Sequence, residues 1–398
     1  MIAEVTPGGG IHVLGMGYRV SKGVAGGAIK DMEETESAIR AAVDQAERVA
    51  DDRIESVYVN LAAGEPKSEV VEEEIEIGGQ AVRAGDLERV LLQAAQRVES
   101  SDCRVLHAFP ACYSIDNSTG VREPAGMFGE RLAVALHVIT ARPGPIVNLE
   151  TCVHRAHLEI DQTVASGYAA GLGVLVEDEK ELGAAVVDLG GGTTSVGVFA
   201  RQALVFADVF PIGGKDITED IARELLTPLD QAERLKTLYG SATTVASDKG
   251  QTIDVLQVGE SSDREDSYVR LPRTELTAII RPRLEQIFSS VRERLVRSGF
   301  DNISGRRVVL TGGGSQIPGA AELAQEILKK QVRIGQPLGL AGLAESARTP
   351  AFSVCGGLLH YAVYAPREMG AEAGLPVLAP VVAQGGLARI GGWLKSNF

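Results

Sequence analysis

Apolar and polar positions divide the chain into short strands and amphipathic helices. Residues 1–5 and 11–20 read as two strands about the turn Pro7-Gly8-Gly9-Gly10. Asp31 then caps a helix, with Glu34 as its capping-box partner and Ile39, Ala42, Val43, Ala46 and Val49 as its apolar stripe. Residues 57–61 form the next strand. From about 62 to 141 the texture changes. Residues 70–77 alternate acidic and apolar, 85–98 is an amphipathic helix, and 105–113 and 131–140 are strands. This βαββ-like block predicts a small α+β subdomain. Its Glu72-Glu73-Glu74 run predicts a solvated strand edge rather than a metal site. Residues 161–171, DQTVASGYAAG, predict a small-residue helix. The β-branched run 184–189 and its return at 196–199 predict two strands joined by a tight turn, with that helix packed beneath. A helix with the stripe Ile217, Ile221 and Leu225 follows, then a second over 231–239. The polar stretch 240–267 suits a hairpin or a mobile segment. A long helix over 274–297, strands at 307–310 and 332–335 and a buried helix at 355–364 complete the pattern.

Composition removes several functions. The 398 residues carry a net charge of −14, with 44% hydrophobic, 23% charged and 5% aromatic residues. Two or more domains with their own cores fit that length. An acidic chain poor in aromatics lacks both the basic face and the stacking platforms of a nucleic-acid binder. Cys103, Cys112, Cys152 and Cys355 are far apart, without a CxxC, and read as reduced thiols. No signal sequence and no run of membrane-spanning length is present, so the expectation is a cytoplasmic protein. The last residues qualify this. Beyond 365 the chain turns to Pro, Ala, Gly and Glu, a linker. It ends in 386–398, GLARIGGWLKSNF. On a helix, Leu387, Ile390, Leu394 and Phe398 share one side, Trp393 flanks it, and Arg389 and Lys395 are the only charges. That is the pattern of a peripheral membrane anchor, weak alone and therefore suited to polymeric presentation. A tail that docks on its own core, or one that is simply disordered, is the alternative.

The candidate chemistry centres on AAVVDLGGGTTSVGVF, residues 184–199. Asp188 ends a strand, and Gly190, Gly191 and Gly192 allow close approach of backbone to a ligand. Thr193, Thr194 and Ser195 add hydroxyls. Such a turn can cradle phosphate, with Asp188 on a hydrated Mg²⁺; an ordinary hairpin is the competing reading. A second glycine turn, Thr311-Gly312-Gly313-Gly314-Ser315, leads from a strand into a helix with Pro318 in its first turn. Ile212-Gly213-Gly214 precedes a capping box at Asp216 and Glu219. Glu233 and Lys236 are spaced i, i+3, which on a surface is a weak salt bridge. His154 and His157 form an HxxH pair on a helix, with no third ligand at fixed spacing. The long helix carries Arg281, Arg283, Arg292, Arg294 and Arg297.

Taken together, VVDLGGGTTSVGVF, VVLTGGGSQIPG with the following VRIGQPLGL, and the ending WLKSNF resemble the FtsA family of actin-like bacterial cell-division proteins. The resemblance runs through essentially the whole chain. It implies an α/β actin-like fold of two lobes, each on a mixed five-stranded sheet, closing on ATP and Mg²⁺. Subdomain 1A would comprise 1–61, 142–180 and 339–365, and 1C the inserted 62–141. Subdomain 2A would comprise 181–226 and 300–338, 2B would be 227–299, and 366–385 and 386–398 would be linker and membrane-targeting helix. Asp188 and Gly190–Thr194 would be the second phosphate loop and Gly312, Gly313 and Gly314 the adenosine loop. Gly213, Gly214 and Lys215 would line the cleft, Glu233 and Lys236 would face ribose and adenine, and Gln162 would orient the attacking water. Arg283 would meet the acidic C-terminal peptide of the tubulin-like FtsZ. The implied protein is at most a slow ATPase. It would form filaments, tether FtsZ to the inner face of the membrane at the division site, and recruit later division proteins through 62–141.

Two departures stand out. Relatives of that kind open with a strand carrying an Asp-x-Gly-Thr-type first phosphate loop. This chain opens at Met1-Ile2-Ala3-Glu4-Val5, which matches the strand just after it. The resemblance therefore implies a late start or a truncation, and a sheet short of one inner strand. Ser195 stands where many relatives carry Asp, a variant. The rival readings are a small-molecule kinase of the same superfamily, which would need a catalytic Asp beyond Asp188, and an actin-like pilus scaffold, which would not need a lipid-binding tail.

Overall fold

The computed structural model describes residues 1–364 except 99–102, 245–249, 261–266 and 304. The anchor residues Leu387, Ile390, Trp393, Leu394 and Phe398 lie outside that range. β1 (Ile2–Val5) and β2 (Ile11–Gly15) form an antiparallel hairpin, Val5 opposite Ile11. A short ribbon, β3 (Val24–Ala25) and β4 (Ala28–Ile29), turns on Gly26 and Gly27 at positive φ. It leads into α1 (Met32–Ala50), where the Asp31 carboxylate accepts from Glu34 N at 2.9 Å. α1 lies directly on β2 because Gly15 and Gly17 present no side chain. Of its stripe, Ala46 is buried, Ile39, Ala42 and Val43 are half-buried, and Val49 is exposed. β5 (Ser56–Leu61) follows.

The inserted block comprises β6 (Lys67–Glu76), α2 (Ala84–Val98), β7 (Arg104–Ile115), β8 (Ser118–Val121) and β9 (Arg131–Ala141). Its antiparallel sheet runs β6-β9-β7-β8, one strand more than the βαββ pattern. α2 covers one face through Val90 and Ala94 against Leu132, Val134 and Leu136. The other face, Leu106, Phe109, Ile139 and Ala141, joins the core of the body. The triple-glutamate run lies on edge strand β6. Glu73 pairs with Arg97 and Glu74 with Arg131. No cluster of three or more His, Cys, Asp or Glu suited to a metal occurs among the described residues.

α3 (Pro143–Arg155) precedes β10 (Glu159–Ala165), which pairs in parallel with β5. The small-residue segment is therefore not one helix. Its first half is strand, because β5 takes up its backbone from Gln162 opposite Tyr58 to Ala165 opposite Leu61. Only α4 (Ser166–Val174) is helical. It packs where a helix under the glycine hairpin belongs: a Cβ on Gly167 would fall 2.5 Å from Val196 O. His154 ends α3 beside Glu159, and His157 lies beyond the helix at positive φ. α5 (Glu177–Leu182) leads to the second lobe.

There β11 (Ala184–Leu189), β12 (Thr194–Ala200) and β13 (Ala203–Phe210) run antiparallel. α6 (Gly214–Glu224), α7 (Leu229–Tyr239), the pair β14 (Thr252–Leu256) and β15 (Tyr268–Pro272), and α8 (Arg273–Ser298) follow. β16 (Arg307–Thr311), α9 (Ala320–Leu328) and β17 (Gln331–Ile334) complete a five-stranded sheet ordered β13-β12-β11-β16-β17. Two sequence expectations shift here. Asp216 is not the cap of α6: the helix opens at Gly214, and the Asp216 carboxylate accepts from Gly213 N at 2.7 Å. Pro318 precedes α9 rather than standing in its first turn. One face of the sheet packs on α6, α8 and α9 around Ile217, Ile280, Phe288 and Leu323. β18 (Leu340–Ala341) returns to pair with β2, and α10 (Ser353–Tyr364) packs on α4. Among the described residues, the hairpin sheet β1-β2-β18 of the first lobe is thus separate from its parallel pair β5-β10. No helix among the described residues is long and apolar enough to cross a membrane.

Candidate functional site

β11 and β16 are parallel neighbours, with Asp188 opposite Thr311, so both glycine turns leave the carboxyl edge of one sheet. Open α/β sheets bind ligands at that edge. All six residues of β11 are buried. Asp188 is aimed at the second turn: Gly312 sits at φ +83°, and a Cβ there would fall 2.3 Å from Asp188 Oδ1. Burial pushes the Asp188 carboxyl up to about 7. Ser195 is directly opposite on the same face, its hydroxyl buried and without a hydrogen-bond partner among the described residues. A single carboxylate beside an orphaned hydroxyl fits a hydrated Mg²⁺ held through water better than one ligated by protein alone.

The first turn is closed by Gly190 N donating to Thr193 O at 2.9 Å. Its carbonyls are drawn away toward α6: Gly214 N donates to Gly190 O at 2.9 Å and Lys215 N to Gly191 O at 2.6 Å. Gly213 is required there, since a Cβ would sit 2.7 Å from both carbonyl oxygens. The Thr194 hydroxyl donates to Ile212 O at 2.7 Å. The N–H groups of Gly191 and Gly192 make no hydrogen bond among the described residues, the polarity an anion cradle needs. Lys215 joins through its backbone; its ammonium is exposed near Glu219.

Glu233 and Lys236 are more than a surface pair. The Lys236 ammonium, on a side chain only 11% exposed, donates to Gly214 O at 2.9 Å, Thr218 Oγ1 at 2.8 Å and Glu233 Oε2 at 2.7 Å. Burial pushes the Glu233 carboxyl up, but hydrogen bonds from Lys236 and Thr218 reverse this and hold it below the ordinary value. Thr218 was not legible as part of this group. Neither was the β3–β4 turn, which closes over the glycine hairpin: a Cβ on Gly27 would fall 2.9 Å from Thr193 Cγ2, and one on Gly192 3.2 Å from Gly26 N. The adjacent glycine pair in KGVAGGAIKD was its signal.

Gly313 and Gly314 open a single 3₁₀ turn, pinned by the Ser315 hydroxyl donating to Gly312 O at 2.7 Å. Gly314 meets Leu189: a Cβ there would fall 2.5 Å from the leucine Cγ. Gln162 is half-buried in β10, five residues before the Gly167 that meets β12. Arg283 stands apart from the glycine turns. It forms a two-pronged ion pair with Asp220 at 2.7 and 2.9 Å, beside a groove of about 590 Å³ lined by Glu224, Leu225, Glu275 and Ile279.

A family model described as Cell division protein FtsA matches residues 185–357, and one described as the SHS2 domain inserted in FTSA matches 63–140, the inserted block. The cell division protein FtsA of Rhizobium meliloti (strain 1021) is 44% identical over 398 residues, covering 100% of this chain and 89% of the relative. That of Escherichia coli (strain K12) is 34% identical over 405 residues, covering 100% and 95%. A chain of the PilM-PilN type IV pilus biogenesis complex superposes over 92% of this chain and 95% of its own, with a TM-score of 0.61 at 18% identity, a likeness of fold. The fold is actin-like, and by full-length similarity the chain belongs to the FtsA family of cell-division proteins.

Proposed function

We propose that the chain is a membrane-tethered, filament-forming member of the division machinery in which ATP with Mg²⁺ is a conformational and polymerisation ligand. The observation that carries the reading is the convergence of two glycine turns on Asp188, with the Glu233–Lys236–Thr218 group closing one side. In the proposed site, Gly191 and Gly192 offer N–H groups to phosphate oxygens and Asp188 holds the hydrated cation. Gly213, Gly214 and Lys215 set the α6 end of the cleft. Gly312, Gly313 and Gly314 border adenosine, Glu233 and Lys236 face ribose and base, and Gln162 orients water for a slow hydrolysis. Bound Mg²⁺ would supply charge neutralisation. The finer assignments belong to the same proposal. The segment 386–398 lies on the inner face of the cytoplasmic membrane through Leu387, Ile390, Trp393, Leu394 and Phe398. Arg283 contributes to holding the FtsZ C-terminal peptide, and block 62–141 recruits later division proteins.

Sedimentation with anionic liposomes tests this, comparing the full chain with one ending at Gln384, each with and without ATP and Mg²⁺. The expected result is co-sedimentation of the full chain alone, increased by nucleotide through multivalent presentation. Equal behaviour of both chains would remove the tether. A tail-dependent signal indifferent to ATP would remove the nucleotide role.

A further inference from the structure

The β3–β4 ribbon of the first lobe reaches the glycine run of the second. Its strands pair Val24 with Ile29 and Ala25 with Ala28, leaving Gly26 and Gly27 as a two-residue connection. Both are at positive φ, +56° and +76°, as in a type I′ hairpin turn. Such a hairpin does not use the N–H groups of its two central residues, and those of Gly26 and Gly27 make no hydrogen bond among the described residues. The turn is held close. A Cβ on Gly192 would fall 3.2 Å from Gly26 N and 3.9 Å from Gly27 N, so both donors lie beside the Gly192 backbone. A Cβ on Gly27 would fall 2.1 Å from Ala62 O, besides meeting Thr193, so that position has no room for a side chain. A Cβ on Gly191 would meet nothing within 4 Å, and one on Gly190 only Thr193, so the first lobe approaches this run at Gly192. The N–H groups of Gly26, Gly27, Gly191 and Gly192, all without a partner among the described residues, therefore gather there from two lobes. A surface of donors alone suits phosphate oxygens.

We propose that the Gly26–Gly27 turn binds the terminal phosphate of a nucleoside triphosphate and lets the cleft distinguish triphosphate from diphosphate. The inference rests on the nucleotide reading above. In that reading, ribose and base lie at Glu233 and Lys236 in the second lobe, and the phosphates lie over the glycine run. The phosphate furthest from the base is then the one that reaches the first lobe. Donors of both lobes hold it, so a triphosphate ties the lobes together at this point, while a diphosphate leaves the donors of the turn unmet.

Gly26 offers the test. Its φ of +56° suits Asn and Asp, and a Cβ there would have only Pro211 near, at 3.2 Å. Gly26→Asp and Gly26→Asn share a shape and differ by one charge. Calorimetry in Mg²⁺, with ADP or a non-hydrolysable ATP analogue, compares both variants with the unaltered chain. Gly26→Asp should bind the triphosphate about tenfold or more weakly than Gly26→Asn does, and ADP equally well. In the unaltered chain, amide hydrogen exchange over residues 24–29 should slow with the triphosphate analogue and not with ADP. That measurement decides alone if a variant fails to fold. Equal weakening for both nucleotides, no difference between the two variants, or exchange indifferent to the third phosphate would each overturn the proposal and leave the nucleotide reading standing. No binding of either nucleotide by the unaltered chain would overturn that reading, and this inference with it.

Discussion

Asp188 is the residue on which the site turns, and its burial has a measurable cost. Its folded pKa of about 7 lies above the ordinary 3.8, so the folded chain holds the proton more tightly than the unfolded one. The stability from that group is fully present below the ordinary value and is lost as pH rises through 7, at most about 4 kcal/mol. Asp188→Asn should therefore raise the melting temperature of the ligand-free chain at pH 8 while abolishing Mg²⁺-dependent nucleotide binding, readable by thermal melts and by calorimetry. Lys236→Met makes the opposite kind of change. It removes the ammonium that donates to the Gly214 carbonyl and the Glu233 carboxylate, leaving the one Thr218 hydroxyl within reach of both, and should cost about 1–2 kcal/mol in denaturant titration as well as weakening nucleotide binding. At this scale the sequence was informative where chemistry is local. Asp188 and the glycines stand in one short run. Thr218 and the Gly26–Gly27 turn were not legible, because only the folded chain carries them to Lys236 and Thr193.

Elements were legible where their pattern is self-contained. The capped, striped α1 and the β-branched β11 need no distant partner to be recognised. β10 was misread because Ala165, Gly167, Ala169, Ala170 and Gly171 give the segment a helical texture, while its strand half is fixed by pairing with β5 about a hundred positions away. β8 is illegible for a related reason: the short run Ser118–Val121, with Val121 as its one apolar side chain, becomes strand only beside β7. The small residues of α4 serve contact instead. α10 crosses it so closely that a Cβ on Gly357 would fall 1.7 Å from Ala169 O. Gly357→Ala should force the two helices apart and cost about 3 kcal/mol, seen as a lowered melting temperature. Cys355→Ser, at an exposed position two residues earlier in α10, should leave it nearly unchanged.

For the whole molecule, two buried groups set opposing pH dependences. His137 lies between the inserted block and the body, Nδ1 donating to Leu204 O at 3.0 Å. Burial lowers its pKa to about 4, against that bond, with His107 contributing in the same direction as burial. Being depressed from 6.5, it contributes stability present above 6.5 and lost as pH falls through 4, about 3 kcal/mol in full. Asp188 loses stability in the other direction over much of the same range. The ligand-free chain should thus have a flat stability profile between pH 5 and about 7. Asp188→Asn should unmask a rise with pH and His137→Gln a fall, each followed by melting at pH 5 and pH 8. The junction that buries His137 also carries Ser68, whose hydroxyl accepts from Ala207 N at 2.8 Å and donates to Ala207 O at 3.1 Å, at the outer margin of β13. One side chain there occupies both main-chain groups that another molecule's strand would seek. A chain with 62–141 excised should therefore leave both groups of Ala207 open on an edge strand, and should aggregate more readily than the whole chain, as read by light scattering.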